Sequence, residues 1–140
     1  MKIKVKDIPT SGANFEGCIS ARQLDVERDY WTLNKDVEVK AKGCRIGEYI
    51  NLTICVESEK RILCSRCLEE KILPYQISFS HQMKISDELE EIDITELVRQ
   101  EIILNIGIRE LCRDDCQGIC PRCGGNRNKG QCKCSGSESK

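Results

Sequence analysis

The chain has 140 residues, a formal net charge of -1, 4% aromatic residues and eleven cysteines. That length fits one domain with a modest core. The near-neutral charge excludes a polycation drawn to nucleic acid by bulk electrostatics, and no apolar run nears the ~20 residues of a membrane-spanning helix.

The first residues, "MKIKVKDIPT", lack the apolar stretch of a signal peptide, so a cytoplasmic location is expected. Residues 2 to 8 read as a short strand ending at Pro9, followed by a weakly alternating stretch near 14 to 24. In "DVEVKAKGC", Val37, Val39 and Ala41 alternate with charged residues, as in a half-buried strand. "YINLTICVE" puts Ile50, Leu52, Ile54 and Val56 on one face. "YQISFSHQMKIS" does the same with Tyr75, Ile77, Phe79, His81, Met83 and Ile85. Gly and charged turns separate these segments, which points to an antiparallel meander or open barrel.

The composition then changes. Residues 86–101 carry seven acids and one Arg, and 86–93 read as an acidic linker. Asp93 followed by Glu96 resembles a capping box, and Ile94, Leu97, Val98 and Ile102 lie at helical spacing, so one helix is expected over 94–105. The expected fold is therefore mainly β (α+β). A β domain at 1–105 ends in the helix, a Cys-rich metal-binding segment at 106–134 docks on it, and a polar tail at 135–140 is disordered. No internal repeat is visible.

In a chain without an export signal, dense cysteines point to metal rather than disulfides. Cys120-Pro121-Arg122-Cys123-Gly124 has the form of a zinc knuckle. Pro121 fixes φ, and Gly124 is free to take the positive φ that aims N–H groups at sulfur. Cys132 and Cys134 follow, with Gly130 for the return turn, and complete a local quartet. The pairs Cys64/Cys67 and Cys112/Cys116 remain. They form a second site, unless Cys64/Cys67 instead joins Cys120/Cys123 and leaves Cys112/Cys116 with Cys132/Cys134; one shared site with the other thiols free is a third arrangement. Bridging Cys123 to Cys132 closes eight residues, whereas bridging Cys67 to Cys112 closes 44. That difference of about 1.5 kcal/mol favours the local quartet. One or two zinc ions are expected.

Sulfur-only ligation reads as a closed structural site, because hydrolytic zinc keeps an open position. An iron–sulfur cluster is the lesser alternative, since the spacing departs from that of bacterial ferredoxins. His81 alternates with apolar residues and reads as a core-facing side chain with a hydrogen-bond partner. Cys18, Cys44 and Cys55 read as small buried hydrophobes. No nucleophile–base set or phosphate-binding loop is present, so an enzyme is not expected.

Residues 109–140 carry seven Lys/Arg and four Asp/Glu. Eight thiolates and two Zn²⁺ would take the chain from -1 to -5, so Arg66, Arg113, Arg122 and Arg127 have a charge-neutralising reading. The other reading makes Arg122, Arg127, Lys129 and Lys133 an RNA-contacting set, carried on the loop "GGNRNKGQ". With no aromatic platform in that loop, base-specific recognition of single strands is not expected.

"CSRCLEE", a following strand with an early proline, an acidic stretch, a helix and then "CRDDCQGICPRCGGNRN…CKC" resemble the YceD family. Its members are described as large ribosomal RNA subunit accumulation proteins. The resemblance implies a cytoplasmic, non-enzymatic accessory factor whose partner is large-subunit rRNA or a ribosomal assembly intermediate. Some members lack most tail cysteines, which implies that metal stabilises rather than performs the core function. Two features depart from the family pattern. The chain stops at "SGSESK" where members commonly continue with an Asp-Pro-Arg-containing segment, and "LNIGIREL" lacks the usual proline. Other readings are a protein–protein adaptor, with the acidic run meeting a ribosomal protein, and a thiol redox or metal sensor. Neither a membrane nor a small-molecule substrate is expected.

Overall fold

The meander predicted from alternation is the body of the protein. The computed structural model describes residues 1–134, and the expected disordered tail at 135–140 lies outside the described residues. Strands β1 (Lys2–Lys4), β2 (Ala13–Ile19), β3 (Trp31–Leu33), β4 (Val37–Ile46), β5 (Tyr49–Leu63), β6 (Glu70–Lys84) and β7 (Glu91–Asp93) are joined by a one-turn helix α1 (Ala21–Leu24). Helix α2 (Ile94–Asn105) follows β7. β4, β5 and β6 run as consecutive antiparallel neighbours, with β2 beyond β4. The sheets do not close into a barrel.

β5 is the spine. It pairs with β6 along all 15 of its residues, while its other edge is shared. β4 covers Tyr49–Glu57 and β3 covers Lys60–Ile62. A 15-residue hairpin is roughly 50 Å long, so its closing turn stands away from the β2–β4 end. That turn carries the CSRC motif.

The core follows the predicted parity. Val37, Val39 and Ala41 from β4 and Ile50, Leu52, Ile54 and Val56 from β5 are all buried. On β6 the predicted face is right in register, with Ile54 opposite Phe79 and Val56 opposite Ile77. Only Tyr75 is fully inside, because β6 is an outer strand of the sheet and its row is covered incompletely. His81 sits half-buried opposite Leu52, and its ring has no hydrogen-bond partner among the described residues, contrary to expectation.

The same parity corrects the reading of three cysteines. Cys55 lies between inward Ile54 and Val56, so it faces out, with its sulfur 3.4 Å from the Ser78 hydroxyl. Cys18 is exposed and Cys44 half-buried for the same reason. At the N-terminus only Lys2–Lys4 is strand, and Val5–Asp7 is a 3-10 turn. Ile3 and Val5 point inward at a spacing of two but Ile8 at a spacing of three, which only a rotated backbone satisfies.

Helix α2 starts and stops where expected. The Asp93 carboxylate accepts from the Glu96 backbone N–H at 3.3 Å, and Ile94, Val98 and Ile102 are buried. The acidic stretch before it is not wholly linker, since Glu91–Asp93 pairs with β1 and buries Ile92. No helix of the described residues is long and apolar enough to cross a membrane.

Trp31 (1% exposed) meets Tyr75 edge-on at 5.4 Å between ring centroids. The Tyr75 hydroxyl is buried without a partner. Burial first, then the charges of Glu110 and Glu101, push its pKa up to about 12. An unfolded tyrosine loses its proton near the ordinary value of 10.0, while the folded one keeps it, so stability falls as pH rises from about 10 to about 12. Tyr75→Phe is expected to stabilise the protein by about 1 kcal/mol at neutral pH. It should also flatten that alkaline decline, as read by urea unfolding at pH 9 and pH 11.

Candidate metal centre

The two CxxC motifs occupy one and the same turn. In the first, the Leu68 N–H donates to the Cys64 carbonyl (3.0 Å) and the Cys64 N–H to the Glu69 carbonyl (2.9 Å). In the second, the Gly124 N–H donates to the Cys120 carbonyl (2.8 Å) and the Cys120 N–H to the Gly125 carbonyl (2.8 Å). Each turn is framed by a strand pair seven residues apart, Leu63 with Glu70 and Ile119 with Asn126. The residue after the second cysteine is left-handed in both, with φ 59° at Leu68 and 72° at Gly124. This is a structural repeat that the sequence conceals, because only Cys-x-Arg-Cys is shared.

Glycine suits the left-handed position and leucine does not. Leu68→Gly is therefore expected to raise stability by up to about 1 kcal/mol, measured by denaturant unfolding of the metal-loaded protein. Gly125 is needed for a different reason. A Cβ there would run into the Gln131 carbonyl group, so the chain crosses itself at a point only glycine allows.

The eight sulfurs form two quartets, Cys64/Cys67/Cys112/Cys116 and Cys120/Cys123/Cys132/Cys134, each with all sulfurs within 4.8 Å. This is the grouping that loop closure favours. The close pairs are Cys64–Cys116 at 3.6 Å, Cys67–Cys112 at 3.8 Å, Cys120–Cys134 at 3.7 Å and Cys123–Cys132 at 3.8 Å. Zn–S bonds of about 2.3 Å in a tetrahedron require sulfurs about 3.8 Å apart, whereas a disulfide brings them to about 2.05 Å. All eleven cysteines are free. The quartets thus fit single ions held by four thiolates. A multi-iron cluster would spread its thiolates over separate irons, further apart than these.

Local N–H groups tune the sulfurs. Burial works to raise the Cys64 pKa, but the backbone N–H groups of Cys67, Cys112 and Arg66 outweigh it and bring it to about 6. The backbone N–H groups of Cys123 and Arg122 bring Cys120 to about 6. The opposite member of each quartet keeps its proton. Cys112 is raised to about 12 by burial and its thiol neighbours, and Cys134 to about 12 chiefly by its hydrogen bond with Cys120. Metal binding displaces such protons.

The tail is tied to the body around the first quartet. The Ser65 N–H donates to the Glu110 carbonyl (2.8 Å), and the Tyr30 hydroxyl to the Gly107 carbonyl (2.9 Å). The Lys60 ammonium meets Glu110 at 3.0 Å with both side chains mostly buried. Within 106–134 the buried residues are Cys116, Gly118, Cys120 and Asn126; none is a large aliphatic.

The basic residues divide. Arg122 and Lys133 are exposed and have no ion-pair partner among the described residues. Lys129 is held 2.7 Å from Glu69, which bridges the second knuckle to the first, and Arg127 is half-buried. Arg66 donates to the Cys116 carbonyl (3.2 Å) rather than to a sulfur. The loop "GGNRNKGQ" does not simply reach outward. Asn126 is buried, and Asn128 donates from its amide to the Cys116 sulfur at 3.2 Å. Sequence reasoning missed both asparagines, and no spacing rule marks them.

The fold and site define a small antiparallel β protein whose C-terminal segment is built on two tetracysteine centres. Residues 81–140, less than half of the chain but including six of the eight quartet cysteines, match the family described as large ribosomal RNA subunit accumulation protein YceD. The resemblance seen in the sequence is borne out over that segment. A similar protein is the large ribosomal RNA subunit accumulation protein YCED homolog 1, chloroplastic, of Arabidopsis thaliana, 36% identical over 62 residues. That alignment takes in 44% of this chain and 19% of the relative, so the chain spans only a small part of that protein. No solved structure matches.

Proposed function

We propose that this protein is a non-catalytic, zinc-stabilised cytoplasmic factor that supports accumulation of large-subunit ribosomal RNA by binding the RNA or an assembly intermediate. The match over residues 81–140 carries the biological assignment. Zinc is the ion of choice for four thiolates in a closed tetrahedron, and in such a site it supplies shape rather than chemistry. Cys64, Cys67, Cys112 and Cys116 would hold one ion, and Cys120, Cys123, Cys132 and Cys134 the other.

Arg122 and Lys133 flank the second quartet, free to meet phosphate. Salt-dependent co-sedimentation with large-subunit precursors tests the reading. Arg122→Ala with Lys133→Ala is expected to weaken binding and to flatten the salt slope by about two. A protein found only in free fractions at low salt refutes it.

A second reading, a protein-binding adaptor, draws on exposed Leu68, Ile72 and Ile108 (57%, 54% and 91% exposed). It expects the same double substitution to leave co-sedimentation unchanged.

A further inference from the structure

One side chain from the loop of the second quartet reaches a sulfur of the first. Asn128 lies in the eight-residue gap between Cys123 and Cys132 that belongs to the second quartet, yet its amide serves the first. Its Nδ2 donates to the Cys116 sulfur at 3.2 Å, while its Oδ1 accepts from the Gln117 backbone N–H (2.8 Å) and from Arg113 (2.9 Å). The residue is fixed from behind. Its own N–H donates to the Asn126 side chain at 2.9 Å, and the Arg127 N–H donates to the Gly118 carbonyl at 3.0 Å. The 3-10 turn that carries it, Arg127–Lys129, ends at left-handed Gly130, two residues before the ligand Cys132. The segment holding Asn128 is thus strung between ligands of the second quartet, while Asn128 itself grips a ligand of the first.

We propose that Asn128 is a positioning residue that couples the two centres, so that filling the local quartet raises the metal affinity of the long-range quartet. This rests on the metal reading above. A donor aimed at a thiolate holds the ligand in place and moderates its charge, and outer contacts of this kind are worth 10–100-fold in metal affinity. The donor is in place only when residues 126–130 are ordered, and bridging Cys123 to Cys132 is what orders them. The expected sequence of assembly is therefore local quartet first, long-range quartet second.

The test uses the full chain under reducing conditions, with Co²⁺ as the probe. The wild type is expected to bind two ions. Asn128→Asp keeps the oxygen that accepts from Gln117 and Arg113 but loses the donor. It should weaken one ion at least tenfold against a competing chelator and leave the other unchanged. It should also move part of the thiolate-to-cobalt charge-transfer absorption to lower energy, because an unbonded sulfur is more electron-rich. Cys123→Ser with Cys132→Ser leaves one ion, bound with a similarly lowered affinity, and adding Asn128→Asp to it should cost little more. Cys64→Ser with Cys112→Ser leaves one ion that does not respond to Asn128→Asp.

Two full-affinity ions in Asn128→Asp would overturn the coupling while leaving the metal reading intact. So would an undiminished remaining ion in Cys123→Ser with Cys132→Ser. A wild type that binds fewer than two ions overturns the metal reading and the coupling together.

Discussion

Stripping metal from the reduced protein with a chelator is expected to free residues 107–134 while the sheet from Ala13 to Lys84 stays folded. The two parts are stabilised by different forces. The body buries twenty apolar side chains in one cluster, including Trp31 and eight isoleucine or leucine residues at 0% or 1% exposure from β2, α1, β5 and α2. The tail buries cysteine, glycine and asparagine, so it gains little from leaving water. On the proposed metal reading its order comes from sulfur ligation, which in isolated fingers contributes on the order of 10 kcal/mol. Limited proteolysis before and after chelation reads the difference, with new cleavages confined to the tail, and native mass spectrometry counts the ions. Single substitutions separate the centres. Cys123→Ser should lose one ion and open the second knuckle. Cys116→Ser should lose the other and loosen the tail from the hairpin end, where Arg66 grips the Cys116 carbonyl. A metal-free chain with a protease-resistant tail, or sulfurs found paired as disulfides, contradicts this account.

What the sequence made legible followed from periodicity and from loop length. Alternation located β4, β5 and their buried faces, because a side chain's face in a strand is set by parity alone. The 3.6-residue spacing and Asp93 located α2 to the residue. Loop closure favoured the quartets whose sulfurs lie together, because the hairpin presents Cys64 and Cys67 at its far end, where residues 107–116 return to meet them. What stayed hidden depends on how segments approach one another. β7 is three residues long, and only its pairing with β1 makes it a strand. Cys18, Cys44 and Cys55 were assigned by residue type, whereas parity puts them outside. Asn126 and Asn128 look like loop polarity, and their roles exist only once the two knuckles are side by side.

Trp31→Ala is expected to cost about 3–5 kcal/mol and to weaken the first metal centre as well. Trp31 is the largest fully buried side chain, stacked edge-on with Tyr75 and paired with Ile62 in the β3–β5 ladder. Removing the indole leaves a cavity that β3 (only three residues long) cannot collapse into without giving up its pairing. The damage then travels along the chain. Tyr30, its neighbour, accepts the Leu63 N–H at its carbonyl (2.9 Å) and donates its hydroxyl to Gly107, so this segment clamps both the end of β5 and the start of the tail. Cys64 follows Leu63 directly. A loosened clamp lets the first knuckle move relative to Cys112 and Cys116, while the second quartet, closed within 15 residues of its own chain, keeps its geometry. Far-UV circular dichroism in urea reads the stability loss, and chelator competition should show one ion weakened and the other unchanged. Ile72→Ala, at a side chain 54% exposed on the same hairpin, is the control and is expected to stay within about 0.5 kcal/mol of the parent. Equal losses at both centres in Trp31→Ala would mean that the tail depends on the body as a whole rather than through this clamp.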